Sequence, residues 1–173
     1  MNDSEKKKTK IEKTGEDLFN FAIDREDVKT LTSQFSEASG VKRGTVEYEL
    51  QLLKIISVGW SISYYLEASP QKTRLTNLYW EAIREFSKEI SETTGLMIGQ
   101  NIDYFQVLKD RLDTYVNALN RKADAPEPAV VIGPEFAGAC GNPDDVYAVM
   151  AGSRLFIATV AGVREYLETI KLR

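Results

Sequence analysis

The sequence predicts an all-α protein: a single five-helix bundle with two central apolar helices and a long Pro/Gly-containing connection before the last helix. Apolar residues recur at steps of three and four along most of the chain, which is the helical period. Glycine, proline and capping residues separate these stretches, and none of them alternates apolar and polar residues as a half-buried strand does. The 173 residues are the length of one ordinary domain.

The stretch 1–15 is predicted to be a flexible polar tail, and residues 16–173 form the predicted bundle domain. After Met1, Ile11 is the only large apolar side chain of the tail, too little to offset the entropy cost of ordering it. Acidic residues are interspersed among its lysines, so we expect no nucleic-acid-binding or membrane-binding patch there.

Capping residues and breakers give the order of the five helices. Ser69 is a good N-cap and Pro70 suits the first helical position, so the third helix begins there; Gly95 ends it. Asn142 and Pro143 begin the fifth helix in the same way. The predicted helices cover residues 17–38, 45–67, 70–94, 101–120 and 143–171.

The second and fifth helices are apolar almost all round, which predicts a central place in the bundle. Lys54 is the only charge in 50–66, and Arg154 is the only charge in 146–163. The fifth helix is long enough to span a membrane, but its mid-segment charge and the amphipathic character of the other helices favour a soluble bundle without a membrane partner. Four residues are therefore expected to be nearly inaccessible: Ile56, Trp60, Phe156 and Val160.

The connection 122–141 holds three of the five prolines and is predicted to be irregular, with a short extended piece at 129–132. Its apolar residues, including Phe136, are expected to pack across the bundle or onto a neighbouring subunit. Cys140 lies just before the last helix. With no histidine in the chain and two acidic residues following, we expect an unreactive thiol.

Composition excludes several classes of chemistry. The chain contains no histidine, so Ser-His-Asp catalysis, Cys-His catalysis and histidine-ligated metal centres are ruled out. The net charge of −4 gives no general attraction to nucleic acid or anionic lipid, so neither is a predicted partner. No catalytic residue, metal or cofactor is predicted.

Two acidic tetrads have the spacing of a magnesium site. Glu89 and Glu92 on one helix and Asp110 and Asp113 on the next have a spacing that resembles the metal-binding helices of all-helical nucleotide pyrophosphohydrolases. At about 100° per residue, however, Asp110 points away from the apolar stripe of its helix. Carboxylates on outward faces cannot converge, so no metal site is predicted.

A polar stripe on the second helix supplies the candidate ligand-binding residues. Lys54, Ser57, Ser61 and Tyr65 follow one another at steps of three and four, and Arg164 is their counterpart on the fifth helix. Facing a cleft, they would bind an anion or polarise a carbonyl group. The favoured interpretation is a solvent-facing edge with Lys54 extending into water, and an ion pair for Arg164.

Small residues on the fifth helix supply the candidate interface. Ala148 with Gly152, and Ala158 with Gly162, are each four residues apart and allow close helix approach. They predict either tight packing within one chain or a two-fold contact between copies, with Phe136 from the connection as a further contact residue.

These observations favour a small cytoplasmic protein that acts through protein–protein contacts, as an oligomeric adaptor, regulator or assembly subunit. The predicted partner is another protein or a second copy of the chain. The single Cys140 cannot form an internal disulfide and no secretion signal follows Met1, which favours the cytoplasm. The alternative is a small-molecule-binding protein or histidine-independent enzyme with a polar cleft around Lys54, Ser57 and Ser61.

Overall fold

The structure, a computed structural model, describes residues 7–172, and in that range it contains helices and no strand. The all-α prediction is confirmed, but the predicted count of five helices is too low. The first predicted helix is divided at Asp24–Arg25, and an additional helix lies inside the predicted irregular connection. The helices are α1 Lys10–Ile23, α2 Glu26–Ser33, α3 Arg43–Tyr65, α4 Pro70–Ile98, α5 Tyr104–Arg121, α6 Pro128–Ala139 and α7 Val146–Thr169.

Helix α1 begins within the predicted tail. Thr9 and Glu12 form a reciprocal capping box, in which each side chain accepts a hydrogen bond from the other residue's backbone N–H. Gly15 then packs against Leu78 of α4. The tail prediction is therefore wrong from Lys10 onward, while residues 1–6 lie outside the described range.

Helix α3 is the centre of the molecule and contacts every other helix. All residues from 49 to 59 are buried, and Ile56 is only 3% exposed, as predicted. A helical segment enclosed on all sides has no solvent-facing side, which explains why Lys54 is the only charge in residues 50–59. The buried Tyr79 hydroxyl of α4 donates to the Ile55 carbonyl oxygen at 2.7 Å and joins α4 to this centre.

Helix α7 packs on α3 and α6 through one side only. Within the described range it is the one helix long and apolar enough to cross a membrane by length and composition, and 39% of its most apolar stretch is buried in the protein. Phe156 is buried as predicted, but Trp60 and Val160 are half-buried. The expectation of two central helices is therefore correct for α3 and wrong for the outer side of α7.

Helix α6 replaces the predicted irregular connection and its extended piece at 129–132. Pro128 occupies the first turn, where its missing N–H costs nothing, and Pro134 lies inside the helix. Packing stabilises this unfavourable sequence, because Ile132 and Phe136 are almost completely buried against α3, α5 and α7.

The first and last helices are joined directly. The Tyr166 hydroxyl of α7 donates a hydrogen bond of 2.6 Å to the Asp17 carboxylate of α1. Helices α4 and α5 pack on each other as a hairpin, and α4 ends at Gly99 with a positive φ of 67°. Glycine adopts that left-handed conformation without a steric cost.

Candidate binding surface

Lys54 neither faces a cleft nor extends into water. Its side chain is 1% exposed, and its ammonium group donates to the Asp24 carbonyl oxygen at 2.7 Å and to the Asp27 carboxylate at 2.8 Å. The Phe21 ring centroid lies 4.7 Å from the same nitrogen. Both interpretations of Lys54 made from the sequence are wrong, because its partners come from the α1–α2 turn. Lys54 holds that turn on α3.

Ser57 and Ser61 are fully buried. Their hydroxyls donate at 2.7 Å to the carbonyl oxygens of Leu53 and Ser57, one helical turn earlier. Because a buried hydroxyl satisfied by its own helix has no solvent-facing group to offer a ligand, these serines do not line a cleft. The predicted polar cleft around Lys54, Ser57 and Ser61 does not form.

Tyr65 and Arg164 lie together in a different place, at an aromatic pocket between α3, α6 and α7. The pocket has a volume of about 570 Å³. Trp60 and Tyr64 stack with ring centroids 4.6 Å apart and form its aromatic side, while the Phe156 ring lies 5.5 Å from Trp60. The Arg164 guanidinium carbon is 5.8 Å from the Tyr65 ring centroid, a cation–π distance.

The rim of the aromatic pocket is acidic. Glu127, Glu165 and Glu168 line it together with Arg164. Arg164 donates to Glu168 at 3.0 Å, and that hydrogen bond raises the pKa of the guanidinium. Burial of Tyr65 raises the pKa of its phenol, so the ring is neutral at physiological pH. Three carboxylates against one guanidinium favour a positively charged group over an anion.

A buried ion pair, absent from the sequence predictions, joins α3 to α5. The Glu49 carboxylate, with a side chain 4% exposed, accepts from Arg111 Nε at 2.8 Å and from Nη2 at 2.7 Å. This bidentate hydrogen bonding raises the pKa of Arg111. Glu49 lies in the stripe of Val46, Leu50 and Leu53 at helical spacing, and an acid in such an apolar stripe is the signal that could have indicated a buried partner.

Cys140 lies close to this ion pair. Burial, with a smaller contribution from the Glu49 charge, raises the pKa of the thiol from 9.0 to about 12. The thiol is therefore neutral at physiological pH and a poor nucleophile. Its position agrees with the unreactive cysteine expected from the sequence.

The outer face of α7 is apolar and exposed. Tyr147, Met150 and Ile157 are 41%, 45% and 53% exposed. At about 100° per residue, these side chains lie opposite Gly152 and Thr159, which face the core. We call the exposed strip the α7 seam; its residues are Tyr147, Met150, Arg154, Ile157, Ala158, Ala161 and Glu165.

The predicted interface residues divide between the inside of the molecule and its surface. Phe136, Ala148 and Gly152 are buried, and a Cβ atom on Gly152 would lie 2.6 Å from the Phe136 ring. These three are not interface residues, because their surfaces are used within the chain. Gly162 is half-buried, with the Phe21 ring 3.3 Å from its Cβ position, whereas Ala158 is exposed on the α7 seam.

A second apolar surface lies at the α4–α5 hairpin. A shallow cavity of about 960 Å³ there is lined by residues of both helices and of the connecting turn. Leu96 and Met97 are 90% and 80% exposed beside it. The acidic residues Glu92 and Asp110 are exposed in this half of the molecule, in agreement with their outward positions in the sequence pattern.

Comparison with known proteins assigns no family: no protein-family model matches the sequence, and no curated protein or solved structure matches it.

Proposed function

We propose that the protein acts through contacts with other proteins, and that the α7 seam is the surface it uses. The observation that carries the proposal is the exposed apolar face of α7. Large side chains on that face are about half exposed along a helix whose other side is firmly packed. An amphipathic helix or groove of a partner would remove this apolar area from water. A cytoplasmic location forms part of the proposal and rests on the single free cysteine.

The pairing of the buried polar groups supports a function in protein–protein contacts over catalysis. The two charged groups buried on α3, Glu49 and Lys54, are each held by a partner inside the molecule. The buried serines of α3, Ser57 and Ser61, are satisfied by backbone carbonyl oxygens. No histidine is available as a general base.

A photoreactive residue tests the use of the α7 seam. With p-benzoylphenylalanine at Ile157, we expect ultraviolet light to give covalent products heavier than the 19.5 kDa chain in cells that make the protein. The matched control is the same residue at Glu85, an exposed position on α4. Products of equal yield from both positions, or none from Ile157, would contradict the proposal.

The aromatic pocket supports a second candidate function, the binding of an organic cation. Its volume falls in the range of small-molecule sites, and aromatic faces beside carboxylates suit an alkylammonium group. This candidate retains Tyr65 and Arg164 from the predicted ligand-binding residues.

Trp60 provides the test of cation binding. In a Trp80→Phe variant, the remaining tryptophan Trp60 is expected to show saturable quenching by tetrapropylammonium. Adding Tyr64→Ala should weaken binding about 10-fold, because it removes one aromatic face, whereas Tyr48→Ala, an exposed tyrosine elsewhere on α3, should leave it unchanged. Linear, unsaturable quenching would exclude this function.

A further inference from the structure

We infer that the partner of the α7 seam is a second copy of the chain, bound antiparallel about a two-fold axis that passes between residues 159 and 160. This inference rests on the proposed function and identifies its partner. It follows from the order of charged and small side chains along the α7 seam.

The centre of the seam is shaped for close helix approach. Ala158 and Ala161 are exposed and lie on either side of the proposed axis. In an antiparallel pair centred there, Ala158 of one copy lies level with Ala161 of the other. Small side chains at the crossing point let two backbones approach closely, and Ile157 flanks that point in each copy.

Charge complementarity selects this register. Arg154 and Glu165 are each five to six residues from the proposed axis, on opposite sides, so Arg154 of one copy lies level with Glu165 of the other. In residues 7–172, neither side chain forms a salt bridge within the chain. Two-fold symmetry makes the ion pair twice, once at each end of the contact.

The same charges disfavour a parallel pair. A parallel alignment in register places Arg154 against Arg154 and Glu165 against Glu165, and like charges at a contact are destabilising. In the antiparallel pair, the two Arg154 side chains are separated by 11 residue positions along the helix axes, or about 16 Å at 1.5 Å per residue. That distance exceeds the Debye length of about 8 Å at physiological salt.

The extent of the seam suits a dimer contact. From Tyr147 to Glu165 it runs about 27 Å at 1.5 Å per residue, and Val146, which directly precedes Tyr147, is also exposed. The opposite face of α7 packs on the core, and within residues 7–172 no helix covers the seam residues, which are all exposed.

Charge reversal and its rescue test the register. We expect the wild-type chain to reach twice its 19.5 kDa mass with increasing concentration in sedimentation-velocity experiments. Arg154→Glu or Glu165→Arg alone creates two like-charged pairs per dimer and should raise the dissociation constant about 10-fold or more. The combined variant restores both pairs with reversed polarity and should return to within about threefold of wild type. Lys88→Glu, an exposed charge reversal on α4, is the matched control and should have no effect.

The outcomes separate this inference from the proposed function. A monomeric wild-type chain at all concentrations, single variants that dimerise like wild type, or a double variant that fails to recover would each overturn the antiparallel dimer. A monomer that crosslinks through Ile157 to a protein of another mass would overturn the dimer and leave the contact function standing. A monomer that co-sediments with phosphatidylglycerol vesicles, and loses this binding with Ile157→Glu, would show that the seam binds lipid and would overturn both.

Discussion

Replacing Arg111 by methionine is expected to lower the free energy of unfolding by about 3 kcal/mol, near the low end for a broken buried ion pair. The substitution leaves the Glu49 carboxylate, whose side chain is 4% exposed, without a counter-charge. Arg111 is itself 29% exposed, so water replaces part of the lost interaction and keeps the loss from being larger. Urea unfolding followed by tryptophan fluorescence measures the change.

Two further variants separate charge burial from lost packing. Adding Glu49→Met to Arg111→Met should recover most of the stability, because no unpaired charge remains inside the molecule. Arg25→Met removes the exposed pair of Arg25 with Glu47 and should cost less than about 1 kcal/mol. If Arg111→Met cost no more than Arg25→Met, Glu49 would have to be accessible to water.

Gly152→Leu is expected to destabilise the chain by about 3 kcal/mol, the upper part of the range for overpacked cores. A Cβ atom at this position would lie 2.6 Å from two ring carbons of Phe136, and that ring is completely buried. Helix α6 would have to move away from α7 to make room. Thermal unfolding at low protein concentration measures the effect on the monomer.

The same substitution at Gly44 is the matched control. Gly44 lies in the first turn of α3, and apart from its chain neighbours and its own helix backbone, no atom of the described residues lies within 4 Å of its Cβ position. Leucine is a better helix former than glycine by up to about 0.8 kcal/mol, so Gly44→Leu should be neutral or stabilising. A Gly152→Leu chain as stable as the Gly44→Leu chain would contradict the close contact between α6 and α7.

The helices with clear local signals were predicted well. Ser69 and Pro70 begin α4 where the sequence placed its start, and the predicted bounds of α3, α5 and α7 differ from the observed ones by a few residues. The start of α1 was missed, although the capping box of Thr9 and Glu12 is a readable sequence signal.

Helix α6 could not be predicted from local pattern. Val130, Val131 and Ile132 favour strands, and Pro134 and Gly133 disfavour a helix interior. Because the helix is buried on several sides, it also lacks the polar face that would reveal a helical period. Its conformation depends on packing against α3, α5 and α7, and the local sequence does not show this packing.

The candidate site was only partly predictable, because the contacts that bury or expose its residues come from other elements of the chain. The partners of Lys54 come from residues 27 to 30 positions earlier, so local spacing could not show that it is buried. The sequence of an apolar helix also does not show which of its sides the fold covers. Helix α7 was therefore predicted to be buried on all sides. Ala158 is exposed and its contact role stays a prediction, whereas Gly152 carries the same pattern and packs inside.

The central position of α3 has a consequence for the chain as it leaves the ribosome. Helix α3 is complete at Tyr65, but α7, which covers much of it, begins only at Val146, 81 residues later. At translation rates of about 5–20 residues per second, the side of α3 that packs on α7 remains without α7 for about 4–16 s. During this interval the nascent chain exposes the apolar side of α3 that α7 later covers, and transiently exposed surface of this kind is prone to aggregation.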